Sequence, residues 1–204
     1  MSQIKCVLFD LGGVVLNWNN SWLTAEISKQ FNLPKEKFQL EFDNHLGIIS
    51  SGKMTEPEFW KSISEKLGIS NLIQPDSILG PAFRKLVSIN QSVFNLSSKL
   101  KENGFSIGIL SNTEPVTYSV IENLESFDHF DYKFLSYEIG LVKPDPKIYQ
   151  HVVDNLPFKK EELFFIDDNL QNVNSANNFG LKTVQFQNYE RLLTDLKESK
   201  IMIS

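Results

Sequence analysis

The chain has 204 residues, 41% of them apolar, and a formal net charge of −5. That suffices for one sizeable domain with an insertion, and the acidic balance with scattered Lys and Arg excludes a nucleic-acid or anionic-membrane surface as the expected partner. No apolar stretch reaches the ~18 residues of a membrane helix and the N-terminus lacks the form of a signal peptide, so a cytoplasmic protein is expected. The one cysteine, Cys6, lies in an apolar run and reads as core filling.

In chain order, the first apolar run is "IKCVLFD" (4–10). It ends on Asp10, which enters a turn with Gly12 and Gly13. Runs of this length and continuity read as strands buried on both faces. Residues 16–88 then hold no convincing strand and read as helices. "SWLTAEISKQF" sets Trp22/Leu23, Ile27 and Phe31 on one face. "TEPEFWKSISEKLG" opens with a capping box, Thr55 and Glu58, and stops at Gly68. Phe59 and Trp60 read as the insertion's own core. Residues 46–55, "LGIISSGKMT", read as its most loop-like part, with Ser50 and Lys53 as candidates to face a pocket.

Further short runs follow at 105–112, 132–136, 162–168 and 182–186. Helical patterns separate them. One has Asn90 as candidate N-cap, Val93, Leu96 and Leu100 on one face, and Gly104 as stop. A second starts with Asp145 as N-cap and Pro146 at the first helical position. A third carries Leu170, Val173 and Ala176 and ends at Gly180. Strands alternating with helices predict an α/β fold, a doubly wound parallel sheet, with a small all-helical cap inserted after the first strand. The expected division is a core of residues 1–15 and 89–204 and a cap of residues 16–88. An insertion there would lie over the carboxyl ends of the strands, where open α/β sheets bind ligands.

Three of the five runs end in groups suited to phosphate chemistry: Asp10, then Ser111 and Asn112, then Asp167 and Asp168. "GLVKPDP" adds Lys143 just before a helix start. A carboxylate such as Asp10 can attack phosphorus and split one displacement into two. Mg2+ takes one or two carboxylates plus phosphate, which Asp10 and Asp168 could supply. Lys143 would neutralise phosphoryl oxygens, and Ser111 with the N–H groups after it would fix one oxygen. Taken singly, each block has a structural reading too, the acidic pair as helix caps and Lys143 as a surface lysine. His129 and His151 have no partner at metal-ligand spacing and read as structural.

The ordered set of "FDLGGV", "ILSN", "GLVKPDP" and "FFIDDNLQNV" resembles the haloacid dehalogenase superfamily, in particular its short sugar-phosphate phosphatases with a helical cap. The resemblance implies a Rossmann-like core with Asp10 as nucleophile. Ser111, Asn112 and Lys143 would hold the phosphoryl group. Mg2+ would be held by the Asp10 side chain, the Gly12 carbonyl and Asp168, with Asp167 assisting. The expected partner is a small phosphorylated metabolite, a sugar phosphate first, and a monomer is the default.

One element of that pattern is missing. Most phosphatases of the family carry an acid–base aspartate where this chain has Gly12. Three readings stay open: a phosphatase with an undemanding leaving group, such as an anomeric hydroxyl; a metal-independent 2-haloacid dehalogenase; or a non-catalytic protein binding Mg2+ or a phosphometabolite. The retained pair Asp167 and Asp168 favours metal and phosphate, because adjacent carboxylates beside Asp10 repel without a cation. Asp43 and His45 are the insertion's candidates for the missing proton transfer, against a plainer reading as solvent-facing helix residues.

Overall fold

In the computed structural model, residues 3–202 are described. Five strands form one parallel sheet: β1 (Cys6–Phe9), β4 (Ser106–Ser111), β5 (Tyr132–Leu135), β6 (Leu163–Asp167) and β7 (Lys182–Gln185). Their spatial order is β5-β4-β1-β6-β7, and every pairing is parallel. β1 is therefore central, and the polar residues that end β1, β4 and β6 meet at one edge.

The continuous apolar runs follow from helices covering both faces. Val7 and Phe9 of β1 join one apolar cluster with Ile107, Ile109, Phe164 and Ile166. Cys6 and Leu8 point the other way, into a cluster with Phe165, Tyr149 and Val152. Alternate residues thus serve opposite cores, as a sheet covered on both faces requires. Burial, with a lesser contribution from Asp131, pushes the Cys6 thiol up to about 12, as suits a core filler. On the first face pack α5 (Gln91–Glu102), α6 (Pro115–Glu122) and α10 (Tyr189–Glu198); on the second, α8 (Pro146–Asp154) and α9 (Leu170–Phe179).

The helices α1 (Asn20–Phe31), α2 (Lys35–Ser50), α3 (Glu56–Leu67) and α4 (Leu79–Leu86) fill the gap after β1. They bury a separate cluster that includes Leu23, Ile27, Phe38, Phe42, Phe59 and Trp60. Three expectations need correction. The segment 16–88 is not free of strand: β2 (Leu16–Asn17) pairs antiparallel with β3 (Ser88–Ile89), zipping the chain's exit from the sheet to its return. Residues 46–50 are not loop but the last turn of α2, because Phe42 and Ile49 keep that face in the insertion's core. Trp22 is 45% exposed, so Leu23 and Ile27 alone carry the buried stripe of α1 with partial help from Phe31.

Helix ends follow their caps. Thr55 and Glu58 form the capping box of α3, and Gly68 closes it in the left-handed conformation. Asp145 caps α8 by accepting from the Lys147 N–H, with Pro146 next. Asn90 stands at the start of α5 but makes no cap bond; its amide donates to the Val14 carbonyl oxygen at 3.0 Å and braces the neck. Among the described residues no helix is long and apolar enough to cross a membrane.

Glu56 holds the insertion together internally. Its Oε1 accepts from the Trp60 indole N–H at 2.9 Å and from two N–H groups at the start of α4, that of its N-cap Ile78 at 2.8 Å and that of Leu79 at 2.7 Å. An unsatisfied buried donor costs ~1–3 kcal/mol. We expect Glu56→Ala to destabilise the protein by about 2 kcal/mol in urea melts; an unchanged midpoint would contradict this role.

Candidate active site

The strand ends build the site. By register Phe9 aligns with Ile109 and Ile166, so Asp10 follows β1 between the ends of β4 and β6. The Asp10 N–H donates to the Ile166 carbonyl oxygen at 2.9 Å, and its Oδ1 accepts from the Leu11 N–H at 2.7 Å. Lys143 arrives from the loop before α8. Its buried ammonium lies 3.0 Å from Asp10 Oδ1 and 2.6 Å from Asp167 Oδ2, and donates to the Leu110 carbonyl oxygen at 2.9 Å.

Asn112 places that lysine. Its side-chain amide donates to the Lys143 carbonyl oxygen and accepts from the Lys143 N–H, both at 2.8 Å. Asp167 is fully buried and also accepts from the Asn169 N–H at 2.8 Å and from the Asn172 amide at 3.0 and 3.1 Å. Asn169, not the acidic pair, caps α9 by accepting from the Gln171 N–H. Asp168 stands half-buried beside them. Its carboxylate rests on Gly13, where a Cβ would come within 2.2 Å of Oδ2 and where φ is +75°. Only glycine satisfies both conditions.

Asp10, Asp167 and Asp168 each offer an oxygen within 4.8 Å of one another, a donor set suited to a hard cation. Three carboxylates face one ammonium. Burial raises the pKa of Asp10 most; Lys143 opposes this, Asp167 and Asp168 add to it, and the result is a carboxyl pushed up to about 7. Burial, then Asp167, also raises Asp168. Burial works against the charge of Lys143, but Asp10 and Asp167 outweigh it and hold the ammonium above its ordinary value. The surplus negative charge is what a bound cation would offset.

Asp10, Gly12, Ser111, Asn112, Lys143 and Asp168 line a cavity of about 850 Å³ between the sheet and the insertion; Asp167 lies behind them. Of the insertion's candidates, Asp43 and Ser50 line it. His45 and Lys53 do not: the His45 Nδ1 pairs with the Glu41 carbonyl oxygen at 2.7 Å and its ring meets Phe59. His129 packs on Phe94 and Phe130, away from the cavity, and His151 meets Phe134.

Two lining residues carried no signal in sequence. Trp18 covers Gly12: a Cβ there would meet the indole Cδ1 at 3.1 Å. The ring is held edge-on to Phe83, at 4.4 Å between centroids, and its N–H donates to Asn20 Oδ1 at 3.0 Å. A side chain at position 12 would therefore require the indole to shift by a few tenths of an ångström. The other is Glu114. It stands at the N-cap position of α6 yet makes no cap bond; its Oε1 accepts from the Thr117 hydroxyl at 2.9 Å. Its placement before Pro115 reads in sequence as an ordinary strand-to-helix turn. Only the fold over it shows that it is buried.

The family model for haloacid dehalogenase-like hydrolases matches residues 4–180. The chain belongs to that family. The mouse bifunctional epoxide hydrolase 2 is 30% identical over 96% of this chain, which spans 38% of that longer protein. The D-ribitol-5-phosphate phosphatase of Bacteroides thetaiotaomicron is 24% identical over 91% of this chain and 93% of its own. A haloacid dehalogenase family enzyme of the same organism, solved with magnesium and inorganic phosphate, superposes with a TM-score of 0.72 at 27% identity, covering 93% of this chain and 98% of its own.

Glu114 gives this chain a measurable pH signature. Burial raises its carboxyl most, Thr117 opposes, Glu56 adds to the rise and Ser50 opposes it, leaving the group pushed up from 4.5 to about 7. A carboxyl whose folded pKa is raised holds more protons folded than unfolded, so stability falls as pH rises through that window. We expect Glu114→Gln to match the wild type near pH 4.5 and to exceed it by about 1–3 kcal/mol at pH 8, since each pKa unit is worth ~1.4 kcal/mol. Thermal melts at the two pH values check this; a difference independent of pH would contradict it.

Proposed function

We propose that the protein is a Mg2+-dependent phosphatase that hydrolyses a small phosphomonoester, a sugar phosphate first, through an aspartyl-phosphate on Asp10. The observation that carries this reading is the Asp10 carboxylate held against the buried Lys143 ammonium, beside Asp168, on the cavity floor. The retained acidic pair and the relative solved with magnesium and phosphate support it over a metal-independent dehalogenase.

In this reading Asp10 Oδ2 attacks phosphorus, because Oδ1 is engaged by Lys143 and the Leu11 N–H. The Oδ2–P bond forms as the ester P–O bond breaks, and the departing oxygen takes a proton from water. A second water then attacks phosphorus and releases inorganic phosphate and the free Asp10 carboxylate, its proton passing to solvent. Ser111 and the N–H groups after it orient the phosphoryl oxygens, and Lys143 offsets their charge. Asn112 acts through Lys143, whose backbone it clamps on both sides. The Asp10 side chain, the Gly12 carbonyl and Asp168 would hold Mg2+, with Asp167 in support. When bound, it supplies positive charge to the anionic phosphoryl group. General acid–base catalysis is worth ~10²–10⁴-fold. Its absence at Gly12 weighs least on an acidic leaving group, such as the anomeric hydroxyl of a sugar 1-phosphate. Residues 16–88 act as the cap that closes over this chemistry.

A phosphomonoester panel tests the reading. We expect phosphate release with Mg2+, its loss in EDTA, and a fall of more than ~10³-fold in kcat for Asp10→Asn, as for removal of a covalent nucleophile. Turnover of a 2-haloacid without metal, with every phosphate ester inert, would overturn it.

A further inference from the structure

The phosphate chemistry occupies one end of the cavity; the rest of its wall has its own character. Among the described residues lining it, Lys143 is the one Lys or Arg, and its ammonium is committed to Asp10, Asp167 and the Leu110 carbonyl. The other charged groups beyond the reacting end are carboxyls: Asp43 from α2 and Glu114 ahead of α6. Around Glu114 the polar partners are hydroxyls. Thr117 donates to it, Thr113 lies 3.1 Å from Thr117 through their hydroxyl oxygens, and Ser50 approaches from the insertion. Trp18, Leu23, Phe42 and Phe83 supply apolar surface nearby.

Glu114 follows Ser111 by three residues, at most ~11 Å along an extended chain. Both line the same cavity, so Glu114 is within reach of the non-reacting part of a ligand whose phosphoryl group is held at Ser111. The seam at that point is closed: the Ser136 hydroxyl lies 2.5 Å from the Ser50 carbonyl oxygen and accepts from the Thr113 N–H at 2.9 Å. Glu114 is thus a fixed wall of the cavity.

Resting on the phosphatase reading, we propose that Glu114 is a specificity determinant: it binds a hydroxyl of the leaving group and, with Asp43, excludes substrates bearing a second anion. A hydroxyl can donate to the carboxylate and accept from the neutral acid, so it suits Glu114 in either protonation state. Once Glu114 is ionised, a second phosphate or carboxylate would meet like charge from it and from Asp43, with no second lysine or arginine among the described lining residues to offset it, and like-charge juxtaposition works as exclusion. The class selected is an uncharged polyol or sugar monophosphate; bisphosphates and phosphorylated acids are rejected.

Competition against p-nitrophenyl phosphate at pH 8.5, where the Glu114 carboxyl is ionised, tests this with the full chain and Mg2+. Hexose and pentitol monophosphates are compared with their matched bisphosphates as inhibitors of the wild type and of Glu114→Gln. We expect the monophosphates to compete at least ~10-fold more tightly in the wild type, and the gap to narrow to ~3-fold or less in the variant, as removal of a repelling charge requires. Bisphosphates competing equally well against the wild type would overturn the proposal without any variant. So would a gap that Glu114→Gln leaves unchanged. Absence of Mg2+-dependent, Asp10-dependent release from p-nitrophenyl phosphate would instead overturn the phosphatase reading on which the proposal rests.

Discussion

The Lys143 ammonium, enclosed between Asp10 and Asp167, is the interaction on which the site depends. Such a pair is weak support for stability, because desolvation consumes much of the Coulombic gain. Its value is positional. Lys143 fixes Asp10 Oδ1, ties the end of β1 to the end of β6, and reaches the β4 carbonyl of Leu110. Removing the ammonium would leave two buried carboxylates facing each other. The surrounding structure serves that placement: Asn112 clamps the Lys143 backbone, Asn172 and the Asn169 N–H hold Asp167, and Gly13 admits Asp168.

Much of this was legible because the relevant signals are local. "IKCVLFD" and its successors are buried on both faces, and a continuous apolar run records that directly. The Thr55–Glu58 box and the Asp145–Pro146 start are likewise written in a few adjacent residues. The meeting of Asp10, Lys143, Asp167 and Asp168 followed from parallel strand ends and from the family resemblance. What stayed hidden depends on contacts distant in sequence. The two-residue strands of the neck have no periodicity to read, only each other across 71 positions. Trp18 and Glu114 look like a turn residue and a helix-start residue until the insertion closes over them.

Those hidden residues bear on the site's central oddity. The family's usual acid–base group is absent at Gly12, and a Cβ there would press on the Trp18 indole at 3.1 Å. His45, the attractive alternative in sequence, is bound to its own helix. In the proposed reading the cavity therefore offers Asp10 as nucleophile and Lys143 beside it, but no side chain at position 12 to protonate a poor leaving group. That balance is consistent with the proposed sugar-phosphate class and with a cavity wall that sorts ligands by charge.

The covalent role of Asp10 is the claim most directly open to measurement. Borohydride reduces an aspartyl-phosphate to homoserine, so quenching the Mg2+-loaded enzyme during turnover of a phosphomonoester, followed by peptide mass spectrometry, reads the intermediate at its residue. We expect homoserine at position 10 of the wild type, dependent on substrate and Mg2+. Steady turnover with Asp10 unmodified, or reduction at another carboxylate, would contradict the mechanism.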